Sequence, residues 1–333
     1  GDFMSSAAKA AIAVQGVLKR FGNHTAVENV SFTVPRGVVY GILGPNGAGK
    51  STTLRMINDI IAPDSGEISI LGTMKPGRQA SAHIGYLPEE RGLYPKMKVA
   101  QMIQFMGELR GLTVGDAKTR AASWLTKLGL TQWANNKVQD LSKGMQQKVQ
   151  FATALIHEPE LVILDEPWSG LDPINAEVLR ATVEEIRAAG RTVLFSTHQM
   201  EQAEKICDSV CIIARGRLLL EGTLVDIKRD AAAGRLVAFE ATDEAARGRA
   251  KAGVLADTSL VAQHRPARAG HPDEIVVELA SVATAQQLLA AVVQAGVGLR
   301  KFEVVTPSLH QIFVEQVGAA NAMVAERREG EPS

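Results

Sequence analysis

The chain has 333 residues, enough for two domains, and 46 % of them are apolar, enough for a sizeable core. Lys plus Arg and Asp plus Glu both number 36, so the charge balance carries no nucleic-acid footprint. No apolar run approaches the roughly 18 residues of a membrane span, and the N-terminus lacks the apolar core of a signal peptide, which points to a soluble cytoplasmic protein.

In chain order, residues 1–11 read as a tag remnant ahead of Met4 followed by a flexible N-terminus. Gly37–Leu43 (GVVYGIL) is a continuous apolar run and predicts a strand buried on both faces of a parallel sheet. Leu161–Asp165 and Thr192–Thr197 have the same character, and Ser209–Gly222 reads as two strands around an Arg-Gly turn. Between the first two buried strands, the section from about Lys96 to Trp133 is helical, a helical insert on an α/β core. The stretch LSKGMQQKVQ, Leu141–Gln150, predicts a helix start. Ser142 is a good N-cap, Met145, Val149, Ala152 and Leu155 recur at helical spacing, and Pro159 closes the segment. Gly144 fits poorly in that first turn, where it costs about 1 kcal/mol relative to Ala. Position 145 is Met, so the capping-box partner is missing too. Cys207 and Cys211 have no cluster of further ligands nearby and read as small buried hydrophobes in a reducing compartment.

Near Arg229 the pattern changes. From Leu236 it reads strand, irregular, strand (Glu274–Leu279), helix (Ala283–Ala295), strand (Gly298–Val305) and helix (Ser308–Val317). That predicts a small α+β domain of ferredoxin-like type over 229–318, followed by a polar, disordered tail over 319–333.

The chemistry starts at GPNGAGKST, which follows the first buried strand and opens a helix. Gly44, Gly49, Lys50 and Ser51 stand at the fixed positions of G-x-x-x-x-G-K-[ST]. In such a loop successive N–H groups of Gly44, Pro45, Asn46, Gly47, Ala48, Gly49, Lys50, Ser51 and Thr52, proline excepted, turn toward phosphate oxygens. Lys50 reaches the β- and γ-phosphates, and the Ser51 hydroxyl ligates Mg²⁺. LVILDE places Asp165 at a strand tip, where it can hold Mg²⁺, and beside it Glu166, which can polarise an attacking water. His198 leaves the strand TVLFST in the same manner, suited to a γ-phosphate contact.

Taken together and in this order, these elements resemble the ATP-binding subunit of ABC transporters. YLPEE stands in the Q-loop position, LSKGMQQ in the signature position, SGLD (Ser169–Asp172) is the D-loop and His198 the switch histidine. The resemblance covers about Ile12 to Gly222 and implies a P-loop NTPase of ABC type over 12–228, with a helical subdomain at about 90–158. It implies ATP and Mg²⁺ as cofactors, Phe21 stacking on adenine, and Glu89 beside Ser51 and Asp165 at the metal, in place of the family's glutamine. It also implies a head-to-tail homodimer, in which Ser142, Gly144 and Asp172 act on the partner's nucleotide. Separate integral-membrane permease subunits are the remaining expected partners, with the chain peripheral on the inner face of the cell membrane and no nucleic acid involved. The signature departs from Leu-Ser-Gly-Gly-Gln at Lys143 and Met145, while Ser142 and Gly144 remain. YLPEERGLYP, LSKGMQQK and the ending TPSLHQIFVEQVG resemble a bacterial subgroup of sodium, drug or antibiotic exporters.

Two other readings stay open on the sequence: a soluble ABC-type ATPase outside transport, and a C-terminal domain that senses a ligand. A simple P-loop kinase has no use for the signature or D-loop.

Overall fold

The computed structural model describes residues 9–72, 74–90, 92–232, 235–267 and 271–318. Two compact units result, one reaching Leu224 and taking in 316–318 as well, the other spanning Val225–Glu315. Strands β1 (Ala10–Phe21) and β2 (His24–Pro35) form an antiparallel hairpin, which the alternation of strands and helices in the sequence does not announce. Ala10 and Ala11, expected within a flexible N-terminus, instead begin β1. Ala10 pairs with Pro35, and both alanines are buried, Ala11 in one core with Ile12, Val14 and Val34. Strand β3 (Val39–Leu43) starts a second sheet, and β4 (Ser65–Ile70) returns to the free edge of β1.

The second sheet adds β5 (Ile84–Leu87), β6 (Leu161–Asp165), β7 (Thr192–Thr197), β8 (Ser209–Ala214) and β9 (Arg217–Thr223), in the order β5-β6-β7-β3-β8-β9. Every residue of β3, β6, β7 and β8 is buried, which is why these segments read as unbroken apolar runs. Only β9 runs antiparallel, and the turn that reverses it is Arg215–Gly216, both with positive φ (51° and 76°). Both cysteines are buried, and burial pushes their thiols up, away from reactivity.

Helix α1 (Lys50–Ile57) follows β3, and a short α2 (Arg78–Ser81) precedes β5. The insert between β5 and β6 holds α3 (Val99–Leu109), α4 (Val114–Lys127) and α5 (Lys143–Leu155). They share a core that includes Met102, Ile103, Leu125, Leu128, Val149 and Ile156. Helix α5 also lies hard against β5. A Cβ on Gly85 would stand 2.3 Å from the Ala154 carbonyl oxygen, so the approach depends on a bare backbone there. His157, just past the helix, directs Nε2 to the Ile84 carbonyl at 3.2 Å. Helices α6 (Pro173–Ala188) and α7 (Met200–Ile206) complete this unit.

The division at Val225 comes a few residues before the expected one near Arg229. The DAAAGR break lies at the end of a helix, α8 (Leu224–Ala232), and not at its start. Beyond it come β10 (Leu236–Ala241), α9 (Glu244–Ala252), β11 (Val261–Arg265), β12 (Glu274–Leu279), α10 (Ala285–Gln294), β13 (Leu299–Val304) and α11 (309–318). The sheet is antiparallel in the order β11-β12-β10-β13, the ferredoxin-like arrangement. Val237, Phe239, Ile275 and Val277 on one face share a core with Ala246, Ala250, Leu288 and Val292 of α9 and α10. The tail over 319–333 lies outside the described residues.

Gly85→Ala should lower stability by about 1–3 kcal/mol in urea unfolding, because the helix or strand must shift to admit the methyl group. Gly248, exposed in α9 with nothing within 4 Å of an added Cβ, is the comparison: Gly248→Ala should gain about 0.5–1 kcal/mol. A second expectation concerns acid. Burial pulls the His157 imidazole from its ordinary 6.5 down to about 4. The folded chain then binds fewer protons than the unfolded chain between those values. Stability from this group is complete above about 6.5 and falls as pH drops toward 4. His157→Gln should flatten that part of a denaturation-versus-pH series.

Candidate active site

Three adjacent strands, β6, β7 and β3, end on one edge of the parallel sheet, and each delivers one loop there. The loop after β3 is Gly44–Gly49. A Cβ on Gly44 would stand 2.1 Å from the Ile213 carbonyl oxygen, and one on Gly49 2.5 Å from that of Ala26. Gly49 is also left-handed, with φ 104°, and passes the chain into α1. Pro45, Asn46 and Gly47 make the turn, closed by the Ala48 N–H donating to the Pro45 carbonyl at 3.2 Å. The new helix then brings Lys50, Ser51 and Thr52 in its first turn.

Lys50 is buried, and its Nζ donates to the carbonyls of Gly44 (2.8 Å) and Pro45 (3.1 Å). The same ammonium lies 3.3 Å from Glu166 Oε1. His198, delivered by β7, sets Nδ1 3.0 Å from the other carboxylate oxygen, Oε2. Glu166 thus stands between a lysine and an imidazole. Its backbone is left-handed, φ 48°, a conformation that costs a non-glycine residue on the order of 1 kcal/mol or more. The Glu166 N–H is held by the Ser196 hydroxyl at 3.1 Å.

Asp165 Oδ1 accepts from two hydroxyls, Ser196 at 2.5 Å and Ser51 at 3.1 Å. Burial pushes the Asp165 carboxyl above its ordinary range, the two hydroxyls pull it back, and the neighbouring Glu166 charge pushes it up again. Its second oxygen, Oδ2, is buried without a hydrogen-bond partner among the described residues. A hydroxyl and a carboxylate side by side, with a spare oxygen, are a hard-donor set that fits Mg²⁺. Ser196 is the site residue that sequence reasoning missed. No local signal sets it apart, because the same strand carries hydroxyls at Thr192 and Thr197.

The remaining expected residues lie apart from this group. Phe21 ends β1 and is half exposed, with Lys19 Nζ 5.7 Å from its ring centre; β2 places Ala26 against Gly49. Glu89 is exposed on the loop after β5 and makes no hydrogen bond or ion pair with Ser51 or Asp165 among the described residues. Ser142 is the N-cap of α5, its hydroxyl accepting from the Met145 N–H at 3.3 Å. Asp172 caps α6, accepting from the Asn175 N–H at 3.0 Å, and that bond holds its carboxyl below the ordinary range. A Cβ on Gly144 would meet Asn175 at 3.4 Å, an ordinary contact, so nothing in the described chain requires glycine there.

Comparison with known proteins decides the family. Residues 27–169 match the family described as "ABC transporter", and residues 222–317 match "ATP-binding protein DrrA1-3-like, C-terminal domain". The uncharacterized ABC transporter ATP-binding protein YhaQ of Bacillus subtilis (strain 168) is 38 % identical over 309 residues, 92 % of this chain and 99 % of that one. This chain belongs to the ABC transporter ATP-binding proteins.

The linearmycin resistance ATP-binding protein LnrL of the same organism is 33 % identical to this ABC protein over 311 residues, 91 % of this chain and 97 % of its own. A solved "ATP binding subunit of ABC transporter" shares its fold, with TM-score 0.62 and 33 % identity over 66 % of this chain and 92 % of the other. ABC ATP-binding proteins hydrolyse ATP, typically with Mg²⁺, so the chain is an ATP hydrolase. Met145 packs against the core of the helical insert, which explains an apolar residue in the signature, while Lys143 is exposed. Among the described residues no helix is long and apolar enough to cross a membrane.

Ser196→Ala removes a bond to each carboxylate residue at once. The Glu166 N–H keeps the Ser196 carbonyl at 3.2 Å, so the main loss is the charge-assisted bond to Asp165, which predicts a fall in Mg²⁺-dependent ATP turnover of about ten- to a hundredfold, read in a steady-state phosphate-release assay.

Proposed function

We propose that this ABC ATP-binding protein powers an exporter as a homodimer attached to separate membrane permease subunits on the inner face of the cell membrane. The observation that carries the reading is Glu166, whose two carboxylate oxygens face Lys50 at 3.3 Å and His198 at 3.0 Å. With ATP in the Gly44–Thr52 loop, Lys50 turns its charge to the β- and γ-phosphates. Glu166 then orients and deprotonates the attacking water. His198, steadied through Nδ1, offers its other ring nitrogen to the γ-phosphate. Ser51 and Asp165 would hold Mg²⁺, with Glu89 as a further carboxylate ligand from its exposed loop. When bound, the ion neutralises charge that develops on the phosphate oxygens. Phe21 stacks on the adenine.

Gly144 supports the dimer. The described chain leaves room for a side chain there, so the bare backbone is explained by something that approaches from outside. At a helix start with free N–H groups and the Ser142 hydroxyl, that something is an anion: the triphosphate bound to the partner subunit. Asp172 joins it from the same side. ATP favours the closed dimer by bridging the subunits, and hydrolysis removes that preference. Export is supported by the resemblance to sodium, drug and antibiotic efflux ATPases and by a relative named for linearmycin resistance.

Glu166→Gln tests the reading. It should bind ATP nearly as the wild type does, lose turnover by at least about a hundredfold, and elute as a dimer in ATP. Wild-type turnover would remove the assignment of Glu166. A stalled variant that stays monomeric in ATP would remove the dimer.

A further inference from the structure

One side of α5 carries two amides where an apolar pair would be less expensive to bury. Gln147 and Gln150 are three residues apart, neighbours on the helix surface, and only 5 % and 4 % exposed. Neither Nε2 is spent inside the helix. Gln147 donates to the Pro167 carbonyl at 3.3 Å, and Gln150 donates to the carbonyls of Pro88 (3.0 Å) and Glu90 (3.2 Å). Pro167 directly follows Glu166. Pro88 and Glu90 flank Glu89. The two loops leave the tips of β5 and β6, which pair with each other in the sheet. Beyond those tips the ladder no longer serves the carbonyls, and the amides take its place.

A second detail shows that the donors are what is kept. Gln150 Oε1 is buried with no hydrogen-bond partner among the described residues. A side chain selected for packing alone would not leave an orphaned acceptor, which carries its own desolvation penalty. The helix bearing both amides is the one whose first turn is Ser142–Gly144.

We propose that Gln147 and Gln150 are positioning residues: Gln147 sets the loop of Glu166 and Gln150 the loop of Glu89. Through them the helix that begins at Ser142 fixes both carboxylates of its own subunit. The assignment rests on the roles given above to Glu166 and Glu89.

Gln147→Met and Gln150→Met keep the volume and remove the donor, and they are measured in the full chain by ATP turnover. Gln147→Met should lower kcat about tenfold, the value of one neutral hydrogen bond, with the KM for ATP within about twofold. Gln150→Met should raise the half-saturating Mg²⁺ concentration about tenfold, and should have no such effect in a Glu89→Ala background. An unchanged kcat in Gln147→Met overturns the first half. The same factor with and without Glu89 overturns the second, since a merely structural glutamine acts regardless of Glu89. Glu89→Ala with a wild-type Mg²⁺ response removes the role of Glu89 and the Gln150 assignment with it. Failure of the Glu166 role shows separately, as wild-type turnover in Glu166→Gln. If thermal melting shows that Gln150→Met does not fold, Gln150→Asn, neutral but one methylene too short to reach Pro88 and Glu90, should give the same shift in the Mg²⁺ response; a wild-type response overturns the assignment.

Discussion

Asp165 and Glu166 set two carboxylates side by side at the end of β6, 1 % and 6 % exposed, where the Glu166 charge works against ionisation of the buried Asp165. Much of the cassette's local architecture answers that repulsion. The Lys50 ammonium comes from α1, and the Ser51 hydroxyl from the next residue. The Ser196 hydroxyl comes from β7, and His198 from just beyond it. Each is supplied by an element adjacent to β6 or one strand further away. A parallel sheet with β6, β7 and β3 in sequence is therefore a condition for the charge pair to be held.

The same arrangement explains what was legible in the sequence. The P-loop, the acidic pair and His198 all follow strands buried on both faces, so an apolar run and a polar residue at its end mark each of them. Ser142 as N-cap and the helix after it were readable for a similar local reason: capping and helical spacing lie within a few residues of each other. What escaped was set by distant partners. β1 is buried along its first half on both faces and broken by bulges, so it lacks the two-residue alternation of a half-buried strand. In the second unit α9 buries only alanines, and β11 is mostly exposed, which leaves neither with an apolar stripe to read.

Ser196, Gln147 and Gln150 were invisible for a further reason. Their importance lies in hydrogen bonds to residues 31, 20 and about 60 positions away, and no local pattern marks a side chain for such a bond. Gly144 stands out in the sequence, but its surroundings are set by the fold. A glycine at a helix start could reflect crowding by its own chain, and the ordinary 3.4 Å distance to Asn175 removes that explanation. Gly85 is the opposite case. It attracts no notice inside IGYL, yet the Ala154 carbonyl stands where a side chain would begin.

That contact at Gly85 also has a mechanical meaning. It pins α5 near its C-terminal end, and His157 fastens the following residues to the same strand. Ser142 lies at the far end of the helix, about 18 Å away at 1.5 Å per residue. The contact is thus a fulcrum and the helix a lever arm. A tilt of about 5° there would carry the Ser142 end through about 1.6 Å while scarcely moving Ala154. Gln150 and Gln147 sit at increasing distances along that arm, so one small rotation would displace the loop beyond β6 more than the loop beyond β5.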